Sequence, residues 1–261
     1  MPKSSGTGDI AIALSVFRAG LERGGCLVCL ALTDAESRAL HSFLYEGMTT
    51  PPALLAFLAA GGFCPRHFRR AMRLGVNRWS VGCVELAILC RHLLPRAAAE
   101  AGEIRARRRR ARLFASRPGG NQQPSLFPGR SCIFCQDWNE REARFVTLLE
   151  LVAEREEFAR ALDSDGICVA HGTLALAAWQ SHSRAERLAR ILQARSDRLF
   201  ASIQAFLQKY DERHRHEPFG PEADALEQAA DFLAGLDVEP RGHSLARHPA
   251  GALDGAARKK T

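Results

Sequence analysis

Residues 61–67 read GGFCPRH, a cysteine and a histidine three positions apart just behind two glycines. Three residues is almost one helical turn, so Cys64 and His67 can approach one ion from the same side. Alone the pair says little, because Cys64 could be a small buried hydrophobe and His67 an ordinary surface side chain. The rest of the chain repeats it. Residues 26–29 read CLVC, 132–135 read CIFC and 165–171 read DGICVAH, so CxxC followed by CxxH occurs twice. The CxxC pairs lie 106 residues apart and the CxxH pairs 104. Glu36 and Arg38 match Glu142 and Arg144 at the first offset, and Gly62 matches Gly166 at the second. An internal duplication accounts for that register, and coincidence does not.

Each copy supplies three thiols and one imidazole, the Cys3His set that zinc binds in tetrahedral sites. The expected ligands are Cys26, Cys29, Cys64 and His67 from the first copy, and Cys132, Cys135, Cys168 and His171 from the second. All four positions are filled in each set, whereas a hydrolytic zinc keeps one for water, so the reading is two structural zinc ions. Iron–sulfur ligation is the alternative cofactor, although it is commonly all-cysteine. A thiol redox or sensor role would use CxxC and leave CxxH unexplained. The 34 and 32 residues between the pairs match a helical hairpin that returns to its start, so closure within each repeat is expected. Cys83 and Cys90, seven apart on an apolar helix, read as core.

The fold expected is all-α. Phe145, Leu148, Leu149 and Val152 fall at i, i+3, i+4 and i+7, and Leu40, Phe43 and Leu44 follow suit in the first copy. Each copy then reads as a helix opening at CxxC, a short helix (53–60 or 156–162), a glycine stop and a helix entered through CxxH. Ile10 to Leu21 suggests an opening helix, and Val81, Val84, Ile88 and Leu89 another that stops near Pro95. A long helix follows over 183–209 and a last one over 222–234. The domains expected are residues 1–115, with the first helical module, and 132–236, with the second. Residues 116–131, rich in Pro, Gly and polar side chains, read as a linker, and 237–261 as a disordered tail.

With 261 residues and 46% hydrophobic content the chain can build a substantial core. Its longest apolar stretch is too short to cross a bilayer, and its start lacks a signal-peptide pattern. Those features predict a cytoplasmic protein without a membrane partner, where eight cysteines point to metal rather than disulfides. The net charge of +7 is local: Arg105, Arg107, Arg108, Arg109, Arg110 and Arg112 supply six, and without them the balance is +1. This run is a candidate nucleic-acid contact or else a solvated helix end.

Residues 208–220, QKYDERHRHEPFG, gather Lys209, Asp211, Arg213, His214, His216 and Glu217. Histidines beside carboxylates exchange protons near neutrality, which makes this a candidate ligand, partner or enzyme site. The competing reading is a helix C-terminus whose basic residues complement the dipole and whose Pro218 stops it.

Taken together, CLVC, GGFCPRH, CIFC, DGICVAH and KYDERHRHEPFG resemble a bacterial family known only as a domain of unknown function, over roughly residues 24–236. The resemblance implies an all-helical, metal-binding protein and no activity. The residues favour a binding or adaptor protein, acting on a protein or nucleic-acid partner, over an enzyme.

Overall fold

The computed structural model describes residues 7–47, 50–59, 62–75, 82–113, 132–214 and 216–236. The expected linker and tail lie outside them. Among the described residues there are ten α-helices, one short 3₁₀ turn and no strand. The first copy comprises α2 (Leu27–Tyr45), α3 (Pro51–Ala59), α4 (Pro65–Gly75) and α5 (Gly82–Leu113). The second repeats the order as α6 (Ile133–Val152), α7 (Glu156–Ser164), α8 (Val169–Ala178) and α9 (His182–Gln208). An opening helix α1 (Thr7–Leu21) precedes them, and the 3₁₀ turn Pro221–Asp224 leads into α10 (Ala225–Ala234).

The duplicated motifs act as punctuation. Cys26 and Cys132 are the N-cap residues of α2 and α6, with nearly identical backbones at φ −58°, ψ 113° and φ −63°, ψ 114°. At the other stop, Gly62 N–H donates to Phe57 O (3.0 Å) and Gly166 N–H to Ala161 O (2.8 Å). This six-to-one bond closes a helix C-terminus, and Gly62 takes the left-handed φ of 84° that such a closure favours. The chain is then aimed into Cys64 or Cys168, and the next helix begins.

Two apolar cores result. One gathers Phe17, Leu32, Leu149, Phe158, Ile167 and Leu188 around Cys26, Cys29 and Cys168. The other gathers Leu40, Phe57, Phe63, Leu89 and Phe134 around Cys64 and Cys132. Fully burying one Leu or Phe contributes about 1.5–3 kcal/mol, so each core carries its own stabilisation. The helices α2 and α6 pack together and pass through both cores, each starting in one and ending in the other.

One expectation fails at α5. The helix runs through Pro95 to Leu113 instead of stopping there. Pro95 forfeits one bond, to the carbonyl of Arg91, but AAAEAGEIRARRRRAR beyond it is rich in strong helix formers that carry the helix on. The buried face also differs from the one expected. Leu86 and Leu89 are buried, while Val84 and Ile88 are exposed.

Candidate metal centres

The eight predicted ligands form two clusters, and their pairing is exchanged. Cys26 and Cys29 join Cys168 and His171, while Cys64 and His67 join Cys132 and Cys135. Closure within each repeat, expected from hairpin length, is therefore not what the fold adopts. Hairpin length lets a pair return to its own repeat, but α2 packs beside α6, which brings each CxxC to the CxxH of the other copy.

Within each cluster the ligand atoms lie inside 4.8 Å of one another. In the first, His171 Nδ1 stands 3.4 Å from Cys26 Sγ, 3.3 Å from Cys29 Sγ and 3.2 Å from Cys168 Sγ, and Cys29 Sγ lies 3.9 Å from Cys168 Sγ. In the second, His67 Nδ1 stands 3.1 Å from Cys64, 3.5 Å from Cys132 and 3.4 Å from Cys135, with Cys64 and Cys135 sulfurs 3.6 Å apart. A zinc tetrahedron with ordinary bond lengths has S–S edges of about 3.8 Å and S–N edges of about 3.6 Å. The side chains present fit a tetrahedral ion. Seven of the eight ligands are buried and Cys135 is half-buried.

Each histidine also has a carboxylate behind it. His67 Nε2 is 2.9 Å from Glu36 Oε1, and His171 Nε2 is 3.1 Å from Glu142 Oε1. This fixes the tautomer, with Nε2–H toward the carboxylate and Nδ1 toward the sulfurs, the arrangement that orients a metal-binding imidazole. Arg70 Nε holds the second oxygen of buried Glu36 at 2.7 Å, and Arg66 approaches the first at 3.9 Å. Glu36 lies on α2, whose cysteines serve the first cluster, yet it supports the histidine of the second. Glu142 on α6 reciprocates, so the two helices run antiparallel, and seven to ten residues, about 10 to 15 Å of helix, separate the two thiols from the carboxylate on each.

The protonation pattern shows what a bound cation would change in such a set. Burial acts most strongly on Cys132 and opposes its ionisation, but hydrogen bonding to His67 and backbone contacts bring it down to about 6. Burial and the adjoining Cys64 push Cys135 up to about 12. His67, which burial alone would lower, is lifted to about 10 by Cys132, Glu36 and Cys64. In the first cluster the Cys168 thiol is held low by hydrogen bonds from Cys26 and Cys29, and Cys29 is driven high by hydrogen bonds with Cys168 and Cys26. His171, against the lowering effect of burial, rises to about 10 through Cys168 and Cys26. Three neighbouring thiols cannot all ionise by themselves, and a bound dication lets them coexist as thiolates.

The other predicted groups stand apart from these clusters. Lys209 Nζ bonds Glu217 Oε2 at 2.7 Å, His214 Nδ1 lies 2.9 Å from Glu217 Oε1, and Arg213 N–H donates to Asp211 Oδ1 at 3.0 Å. His214, His216 and Glu217 are exposed, and Phe219 packs on Phe206 with ring centres 5.6 Å apart. The segment thus folds back on the end of α9 through local contacts. Arg105, Arg109 and Arg110 are exposed on the outer half of α5, and the side chains of Arg107, Arg108 and Arg112 lie outside the described residues.

Residues 12–240 match a family of unknown function, DUF6062. The chain belongs to DUF6062. No curated protein matches the chain, and no solved structure does. The matched span contains both clusters and both supporting glutamates. Among the described residues of this DUF6062 chain, no helix is long and apolar enough to cross a membrane. Sequence reasoning missed the part played by Glu36 and Glu142, although their shared position ten residues after the first cysteine of each copy was the available signal. It also missed Arg66, Arg69, Arg70 and Arg73, whose i, i+3, i+4, i+7 spacing draws one stripe along α4.

Proposed function

We propose that this protein is a binding or adaptor protein whose helical scaffold is held by two structural zinc ions. The observation that carries the reading is that protein side chains fill all four positions of each tetrahedron, leaving none for a reacting water. Cys26, Cys29, Cys168 and His171 hold one ion, and Cys64, His67, Cys132 and Cys135 the other. A Cys3His set with its imidazole backed by a carboxylate favours zinc over an iron–sulfur cluster.

Metal analysis and a visible absorption spectrum of untagged protein, purified with and without oxygen and without added metal, test this. Two equivalents of zinc and a colourless solution are expected. Iron with charge-transfer bands would replace the scaffold reading with electron transfer or sensing. The binding role is tested by capture of partners on the zinc-loaded chain. Arg105, Arg109 and Arg110 on α5 offer an electrostatic surface whose contacts with a nucleic acid would weaken as salt rises. Binding that ignored salt would remove nucleic acid as the partner.

A further inference from the structure

The stripe of arginines on α4 faces a cavity. Arg66, Arg69, Arg70 and Arg73 line a space of about 530 Å³, walled on its other sides by α2, α6, α8 and the end of α10. That volume suits a small organic molecule, since ligand pockets run from about 300 to 1,000 Å³. Two of the arms are positioned in advance. Arg66 lies 4.3 Å over the ring of Trp138, and Arg70 is held by Glu36. Fixing a guanidinium before the ligand arrives lowers the ordering cost of binding.

Comparison of the two copies isolates the charge. At the register of the CxxH motifs, Arg66, Arg69, Arg70 and Arg73 correspond to Ala170, Thr173, Leu174 and Ala177 on α8. Helix α8 enters its cluster and packs in its core without any arginine or lysine, so the architecture does not require four arginines there. Among the described residues, Glu142 on the cavity wall and Glu36 on α2 stand near them, each engaged by a histidine, and Glu36 also pairs with Arg70. Four guanidiniums converging on a concave, partly enclosed site recognise oxyanions through paired N–H···O bonds.

We propose that this cavity binds a phosphorylated small molecule, its phosphate groups held by Arg66, Arg69 and Arg73 at the mouth and by Arg70 deeper in. The site goes beyond the scaffold reading and does not depend on which metal fills the clusters. Its closing experiment is likewise separate from metal identity.

Inorganic pyrophosphate is the probe, titrated calorimetrically into the metal-loaded full chain at fixed ionic strength, with metal content measured before and after. Saturable binding with a dissociation constant below about 1 mM is expected, weakened about tenfold or more by the double substitution Arg69→Ala, Arg73→Ala. Both residues are exposed, and unchanged circular dichroism would show that the variant folds. Should it not fold, Arg69→Gln alone carries the same test with a weaker expected loss. No saturable binding, or equal binding by the variant, overturns the site. Citrate binding more tightly than pyrophosphate overturns the phosphate assignment. Loss of metal from the variant, with no pyrophosphate binding by the parent, would instead make the arginines electrostatic support for the thiolates.

Discussion

Glu36 and Glu142 occupy the same position in the two copies and touch equivalent histidines, yet their surroundings differ. Glu36 is buried, 3% exposed, and shares Arg66 and Arg70 with His67, whereas the Glu142 side chain is 30% exposed. Removing a carboxylate behind a metal-binding histidine typically costs 10–100-fold in metal affinity. Glu36→Gln is therefore expected near the upper end, about 100-fold at the second cluster, and Glu142→Gln nearer about tenfold at the first. Chelator competition on cobalt-substituted protein measures both, and equal losses would show that burial of the pair does not matter. Gly235 is the other sensitive residue. Its φ is 83°, and an added Cβ would stand 3.0 Å from Cys29 Sγ. Gly235→Ala should destabilise the protein by about 1–3 kcal/mol, because its φ of 83° and ψ of 167° fall in a region essentially confined to glycine, with further loss at the first cluster. Gly102→Ala, on α5 with open space around it, should instead stabilise by up to about 1 kcal/mol. Thermal melts of the pair should move in opposite directions.

At the scale of elements, α2 and α6 each contribute two thiols to one cluster and a carboxylate to the other, so the clusters share their supports. Cys26→Ser with Cys29→Ser, which empties the first cluster, should also weaken metal binding at the second, because loosening α2 moves Glu36. Unchanged affinity at the second cluster would show that the helices transmit nothing between them. The end of α9 offers a separate check by pH. Glu217 is held down from 4.5 to about 2 by its hydrogen bonds to His214 and Lys209. Its folded value lies below its unfolded one, so its contribution is complete above about pH 4.5 and fades as pH falls toward 2. His214→Ala should raise that carboxyl toward its ordinary value, which an NMR titration reads directly. Much of this organisation was legible in the sequence: cysteines marked helix starts, Gly62 and Gly166 marked stops, and the eight ligands stood out by duplication. The path through Pro95 was not, because one proline signals a break while the helix-forming residues after it decide otherwise. Nor was the pairing of clusters legible, since 34 and 32 intervening residues allow a return to either partner. Packing of α2 on α6 selects between them, a long-range contact that the spacing of the ligands does not encode.

The exchanged pairing changes what the whole molecule should do when it is cut. If each repeat closed on its own metal, severing the chain between Leu113 and Cys132 would release two independent metal-bearing halves. Here each cluster takes two ligands from either side of that cut, Cys26 and Cys29 with Cys168 and His171, and Cys64 and His67 with Cys132 and Cys135. With both clusters metal-loaded, two tetrahedra and the α2–α6 contact would bridge the fragments without a peptide bond. A specific protease site placed in residues 114–131 should yield two fragments that co-elute in size exclusion while metal is bound. Chelation removes the tetrahedra, and with them binding energy that in such sites is folding energy. The fragments should then separate and lose helical circular dichroism. Acidification should act in the same direction, since protonating the thiolates competes with the metal, so dissociation is expected to need less chelator at pH 6 than at pH 8. Fragments that separate with both metals still bound would show closure within repeats. Fragments that stay joined and helical after complete metal removal would show that apolar packing alone holds the two copies together.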